Sequence, residues 1–476
     1  MSPETIQSFN PTNPSELVGE VEVADDAAAS SALDRAVAAQ AGWKEDAPGR
    51  SAALTALGEA IASRADQFTE LMVTEVGKPR AEAAGEVQRA LAILRFYSQV
   101  ALDPTGEVLP GSTPGATVVV RREPLGVILA ICPWNFPLAI PLWKAAPAMA
   151  YGNAVLVKPA TPAVVTAKLL MECAAEALPD GVLGLLPMSG ARISELLDDP
   201  RIAAATFTGS TGVGRGVAER LASRAAPAQA EMGGHNAAVV LEDANLEAAA
   251  EAIVSGAMGY AGQKCTATRR VVAVEAVAEE LFEKVAGKVG ALKVGDPGDE
   301  GVTVGPLINE TAVEEFEAAV EEALANGGTE LARAGYPDAD SGSANHSDGT
   351  DPTGHFVQPR LIRQDDPGAA VNQKETFGPL LTAIIVKDEV AAIEAANATE
   401  YGLVCAVHGA DLGRAVAVAT RIECGLQRIN APTPGVDYYA PFGGERNSSH
   451  GPREQGRAAR EFFTTSRTMT IVPSPE

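Results

Sequence analysis

The chain has 476 residues, 46% hydrophobic and 21% charged, which is core material for two or three domains of roughly 100–200 residues each and excludes a disordered or fibrous chain. A net charge of −25 argues against a nucleic-acid partner, because a phosphate backbone needs a basic face. No run approaches the roughly 18 apolar residues that span a bilayer, and polar Met1–Asn10 lacks a basic-then-apolar leader pattern, so a cytoplasmic protein without a membrane partner is expected.

Apolar residues at helical spacing, such as Leu54, Leu57, Ile61, Phe68, Leu71 and Met72, predict helices over Asp26–Trp43 and Arg50–Gly77, with another over Glu82–Val100. Ala116–Arg121 is a short β-branched run. Gly126–Ile131 is apolar throughout, as in a strand buried on both faces of a parallel sheet. Helix Ile140–Tyr151, strand Ala154–Val157, helix Ala163–Ala177, strand Val182–Leu186, helix Ile193–Leu197 and strand Ala203–Phe207 follow. A second alternation runs through strand Ala237–Leu241, helix Leu246–Tyr260, strand Val271–Val274 and helix Ala276–Ala291, with a later strand at Leu380–Val386. Such alternation indicates α/β architecture with open parallel sheets, whose ligands sit at the carboxyl ends of the strands. Gly335–Gly354, rich in Asp, Ser, Gly and Asn, is expected to be a surface loop.

Acidic residues cluster at Glu314–Glu322 and Asp338–Asp351, and lysine supplies only 11 of the 37 basic residues, leaving 37 − 11 = 26 arginines. Plain solubility and adaptation to high salt both explain such a surface, and the halophilic reading is preferred. Five cysteines without close pairs point to a reducing compartment, and no Cys/His cluster predicts a metal.

Cys265, in Gly262–Ala267, lies between a predicted helix and strand; Lys264, Arg269 and Arg270 are close enough in sequence to lower its pKa and make it a nucleophile. A small buried hydrophobe is the competing reading, and it suits Cys132, Cys173, Cys405 and Cys424. Glu231, before Gly233 and Gly234, is a candidate general base or a solvated carboxylate. Gly209 and Ser210 lie in Phe207–Gly214, a strand-to-helix turn fit to hold phosphate, although the spacing is not GxGxxG. Lys158, at a strand's carboxyl end, is a candidate for a ribose or phosphate oxygen. Asn135, between Pro133 and Pro137, is either an oxyanion donor or a turn residue.

In chain order, Pro133–Pro137, Trp143–Lys144 through Gly152–Asn153, Lys158–Pro159, Gly209–Gly214, Glu231–Gly234, Gly262–Cys265, Glu375–Pro379 and Pro441–Gly444 together make the chain resemble the aldehyde dehydrogenase superfamily over nearly its whole length. The resemblance implies a Rossmann-like cofactor domain over 1–106 and 123–233, an α/β catalytic domain over 234–455, and a small β oligomerisation element from 107–122 and 456–476. It implies Cys265 as nucleophile, Asn135 and the Cys265 amide as oxyanion hole, and Glu231 as the base for water. It further implies Lys158 and Glu375 at the cofactor riboses, Ser210 with Gly209 at the pyrophosphate, and Trp134 and Phe377 beside the cofactor. Lys144 belongs to the family's active-site surroundings.

Thr161 stands where the family often carries a ribose-side Glu that repels a 2′-phosphate, so NADP is preferred over NAD. His235 and Ala261 also depart from the common pattern. Lys158–Thr161, Gly262–Thr268, Arg428–Ala431 and Ala440–Phe463 resemble the 2,5-dioxovalerate (α-ketoglutaric semialdehyde) dehydrogenases within the family. The implied substrate is a small carboxylated aldehyde, with succinate semialdehyde as the alternative, and the implied assembly is a homodimer or homotetramer. A carboxylated substrate calls for an arginine in the pocket, and the sequence offers many.

Overall fold

A computed structural model describes residues 4–335 and 354–473; the Gly335–Gly354 loop and the Asp338–Asp351 cluster fall essentially outside the described residues. Two parallel sheets organise the chain. The first has the order Ser449–His450, Ala228–Glu231, Ile202–Thr208, Val127–Ile131, Ala154–Lys158, Leu183–Leu185, parallel except for its short first strand. The chain builds outward from Val127–Ile131 on one side, then returns to lay Ile202–Thr208 and Ala228–Glu231 on the other. That reversal opens a crevice at the carboxyl ends of Val127–Ile131 and Ile202–Thr208.

Successive side chains of a strand point to opposite faces. Accordingly Val127, Leu129 and Ile131 pack with Leu33, Val217 and Leu221, while Ile128 and Ala130 join Leu142, Ala145 and Leu169. Helices on both faces explain why this strand is apolar at every position.

The second sheet runs Thr329–Arg333, Arg360–Arg363, Leu380–Val386, Thr268–Val274, Asn236–Val240, Val404–His408, Leu426–Ile429, antiparallel only in its first pair. Four residues, Met232–His235, link Ala228–Glu231 to Asn236–Val240. The carboxyl edge of one sheet therefore meets the amino edge of the other at this link. A third, antiparallel sheet of Gly106–Pro110, Thr117–Pro124 and Thr464–Ile471 carries exposed Val108, Met469 and Ile471. Residues 456–463 precede it as a turn and short helix with Phe462 and Phe463 buried in the core.

Several elements differ from the sequence expectation or were not foreseen by it. The predicted helix Arg50–Gly77 is two, Ala47–Ala62 and Ala65–Val76, broken at Ser63–Arg64 and stopped by Gly77 at a left-handed φ of 64°. Acidic Glu314–Glu322 belongs to helix Glu310–Ala325, capped by Asn309 and burying Phe316, Val320 and Ala323; its abundant carboxylates masked that apolar spacing. The N-terminal hairpin Thr5–Asn10 with Asn13–Glu22 has no apolar alternation to announce it.

Candidate active site

Helix Leu246–Met258 ends at Gly259, and the chain then turns through Tyr260, Ala261 and Gly262 at left-handed φ of 53°, 51° and 67°. Two non-glycine residues there are strained and persist only where neighbours hold the loop. The Tyr260 hydroxyl donates to the Val76 carbonyl at 2.9 Å. Arg269 donates to the carbonyls of Gly378 (2.9 Å), Gly262 (2.8 Å) and Lys264 (3.2 Å). From the other side, the Asn236 amide donates to the carbonyls of Cys265 (2.8 Å) and Ala267 (2.7 Å). Cys265, clamped between them, is partly exposed where the other four cysteines are buried, and it lines a cavity of about 290 Å³.

The expected lowering of its pKa is corrected. Burial, then the carboxyls of Glu375 and Glu231, push the Cys265 thiol up to about 12, with only Arg269 and its own backbone amide opposing. Lys264 is paired with Glu82 at 2.6 Å, and Arg270 donates to the carbonyls of His235, Ala395 and Ala396. Of the three cations near it in sequence, only Arg269 acts on the thiol.

Asn135 follows strand Val127–Ile131 and is buried. Its side-chain amide donates to the Gln263 carbonyl at 2.9 Å, two residues before the cysteine. Behind it lies a buried Lys78–Glu86 ion pair. The Lys78 ammonium donates to the Asn135 carbonyl at 2.7 Å, and Glu86 accepts from the amides of Leu138 (3.0 Å) and Ala139 (2.9 Å). Sequence reading missed both residues; nothing in their local sequence marks them.

Glu231 ends strand Ala228–Glu231 and is buried. Ser449, paired opposite it on the edge strand, donates its hydroxyl to the carboxylate at 2.5 Å. Burial first, then the Glu454 charge, raise the Glu231 carboxyl well above its usual range, while Ser449, Lys144 and Arg453 oppose. Lys144 pairs with Glu454 and donates to the Thr206 hydroxyl at 3.0 Å. The two glycines after Met232 have a steric cause. A side-chain carbon at 233 would collide with the Glu375 carboxylate, and one at 234 would lie 2.9 Å from the Cys265 carbonyl.

Trp134, Ser210, Gly233, Glu375 and Phe377 line a second cavity of about 940 Å³. Helix Thr211–Ala222 begins there, and its N-cap Ser210 makes no side-chain cap hydrogen bond, so the first-turn amides are open to an anion. Trp134 and Phe377 meet edge to face at 5.8 Å. Burial pushes Glu375 up to about 7 against Arg269 and the Gly234 amide, and one carboxylate oxygen lacks a hydrogen bond. These features fit a dinucleotide with its pyrophosphate at the helix terminus. Gly209, Lys158 and Thr161 are not part of that cavity's lining. Gly209 abuts the Phe207 ring, which a Cβ would meet at 2.6 Å. Lys158 ends strand Ala154–Lys158, and burial lowers its ammonium. Thr161 is exposed at the start of the turn Thr161–Ala163. Among the described residues no group of three or more His, Cys, Asp or Glu is placed to hold a metal, and no helix is long and apolar enough to cross a membrane.

A doubly wound sheet with an open helix terminus, joined edge to edge to a second sheet that presents a clamped cysteine, is the architecture of a dinucleotide-dependent oxidoreductase. The chain belongs to the aldehyde dehydrogenase family, which it matches over residues 1–469, and is an NAD(P)-dependent oxidoreductase acting on aldehydes. It is 35% identical over 475 residues to the α-ketoglutaric semialdehyde dehydrogenase of Bacillus subtilis (strain 168), covering 99% of this chain and 96% of that one. It is 36% identical over 473 residues to the α-ketoglutarate semialdehyde dehydrogenase of Haloferax volcanii, covering 98% and 95%. The aldehyde dehydrogenase structure from Brucella melitensis biovar abortus 2308 superposes with a TM-score of 0.92 at 31% identity, covering 99% and 95%.

Proposed function

We propose that this enzyme oxidises a small carboxylated aldehyde, 2,5-dioxovalerate, to the acid, 2-oxoglutarate, through a covalent intermediate on Cys265, at the end of pentose or sugar-acid breakdown. The observation that carries the mechanism is the direct Asn135–Gln263 hydrogen bond beside Cys265, with Glu231 close enough to act on the thiol electrostatically. The names of the Bacillus and Haloferax relatives support the substrate.

The Cys265 thiolate attacks the aldehyde carbon and forms a tetrahedral thiohemiacetal alkoxide. Asn135 is fixed through one N–H on Gln263 and offers the other, together with the Cys265 backbone amide, to that oxyanion; one such donor is worth roughly 2.7–4 kcal/mol. Bound NAD(P)⁺ would supply the hydride acceptor, so that the alkoxide collapses with loss of hydride and leaves a thioester on Cys265. Ser210 and the first-turn amides of Thr211–Ala222 would hold its pyrophosphate, and Lys158 and Glu375 its riboses. Glu231 then takes a proton from the water that hydrolyses the thioester, a role favoured by a carboxyl whose pKa is raised. Thr161 sets no negative charge near Lys158, which favours NADP. Residues 1–106 with 123–233 would serve the cofactor and 234–455 the nucleophile, while the exposed third sheet would join copies of the chain into a dimer or tetramer.

The test is kcat/KM for 2,5-dioxovalerate, succinate semialdehyde and pentanal, each with NADP⁺ and NAD⁺. The highest value is expected for 2,5-dioxovalerate with NADP⁺, and a preference for pentanal would overturn the substrate.

A further inference from the structure

The cavity of about 290 Å³ onto which Cys265 opens lies at the lower end of the roughly 300–1,000 Å³ found for small-molecule sites. Phe136, Trp143 and Phe442 give it aromatic walls. Four charged side chains reach it: Glu82, Glu86, Arg89 and Lys264. Three are matched within the protein, Glu82 with Lys264 at 2.6 Å and Glu86 with buried Lys78.

Arg89 is not matched. It projects from helix Arg80–Val100, half-buried, and is the one arginine in the lining. Its guanidinium donates to the Val436 carbonyl and makes no ion pair with a described residue; Asp437 and Tyr438 influence it only through space, and burial pushes it below its usual range. A desolvated guanidinium with donors left over is matched by a carboxylate, whose two oxygens fit its planar fork.

We infer that Arg89 holds the distal carboxylate of the substrate while Cys265 attacks the aldehyde at the other end, so that this arginine sets the preference for carboxylated over neutral aldehydes. The inference rests on the carboxylated-aldehyde reading above and assigns the residue that enforces it.

Arg89→Met, Arg89→Lys and the parent enzyme are compared on 2,5-dioxovalerate and on pentanal, and each is titrated calorimetrically with glutarate. Loss of one charge-assisted pair lowers kcat/KM for the carboxylated aldehyde by about 10- to 100-fold. That loss is expected mainly in KM, with pentanal turnover retained and partial rescue in Arg89→Lys. Glutarate binding should weaken by a similar factor. Equal losses on both aldehydes, or glutarate binding that is absent from the parent enzyme or unchanged in Arg89→Met, would overturn the assignment. A parent enzyme that prefers pentanal yet loses glutarate binding in Arg89→Met would instead overturn the substrate and keep the carboxylate site.

Discussion

Cys265 and Glu231 are both pushed toward their neutral forms, so the ionised forms that the proposed nucleophile and base require are reached only as pH rises. Cys265→Ala removes the sulfur and should abolish turnover, whereas Glu231→Gln should retain a rapid burst of NAD(P)H in stopped flow and lose steady turnover, because only thioester hydrolysis needs the base. Full steady activity in either variant would contradict these roles. Ser449 acts on the proposed base. Its hydroxyl favours the ionised carboxylate, so Ser449→Ala should raise the Glu231 pKa further and move the acidic limb of the kcat–pH profile to higher pH. A limb that moves down or stays in place would remove Ser449 from the site.

Helix Val164–Ala177 shows how one element completes another. It has no side-chain cap of its own. Glu75, from helix Ala65–Val76, accepts from the amides of Val165 (2.7 Å) and Thr166 (2.8 Å) and from the Thr166 hydroxyl (2.5 Å). Glu75→Ala should cost about 1–3 kcal/mol in denaturant unfolding, the range for leaving buried donors unpaired. Burial raises the Glu75 carboxyl from 4.5 to about 7. A carboxyl that holds its proton better when folded contributes fully below its unfolded pKa, and that contribution fades as pH rises through the folded value. Stability should therefore decline between these two pH values, and Glu75→Gln should flatten the decline. Helix Asp26–Trp43 and strand Leu380–Val386 were legible to the residue, since apolar spacing alone specifies them. Strand Arg360–Arg363 was not, because two of its four residues are arginine and the alternation is lost.

For the whole molecule, a net charge of −25 opposes compaction unless salt screens it, and the Debye length falls from about 10 Å at 0.1 M to about 3 Å at 1 M. The thermal midpoint should climb by several degrees between these KCl concentrations; an unchanged midpoint would remove the high-salt reading. On the third sheet, proposed to join copies of the chain, Val108→Asp with Met469→Asp places charge on the exposed apolar face and should shift the chain to monomers in sedimentation, with the site of each copy intact.

The sequence by itself determined the α/β alternation and the family resemblance, and it singled out Cys265, Glu231 and Asn135 as candidates, because periodic burial and short motifs are local properties. Only the tertiary structure decided that Lys264 is paired with Glu82 rather than serving the thiol, that Lys78, Glu86, Asn236 and Ser449 contact the segments of Asn135, Cys265 and Glu231, and that Arg89 shares the cysteine's cavity. Those relations join segments far apart in the chain. Electrostatics and hydrogen bonding fall off with distance in space, and the folded chain alone fixes that distance.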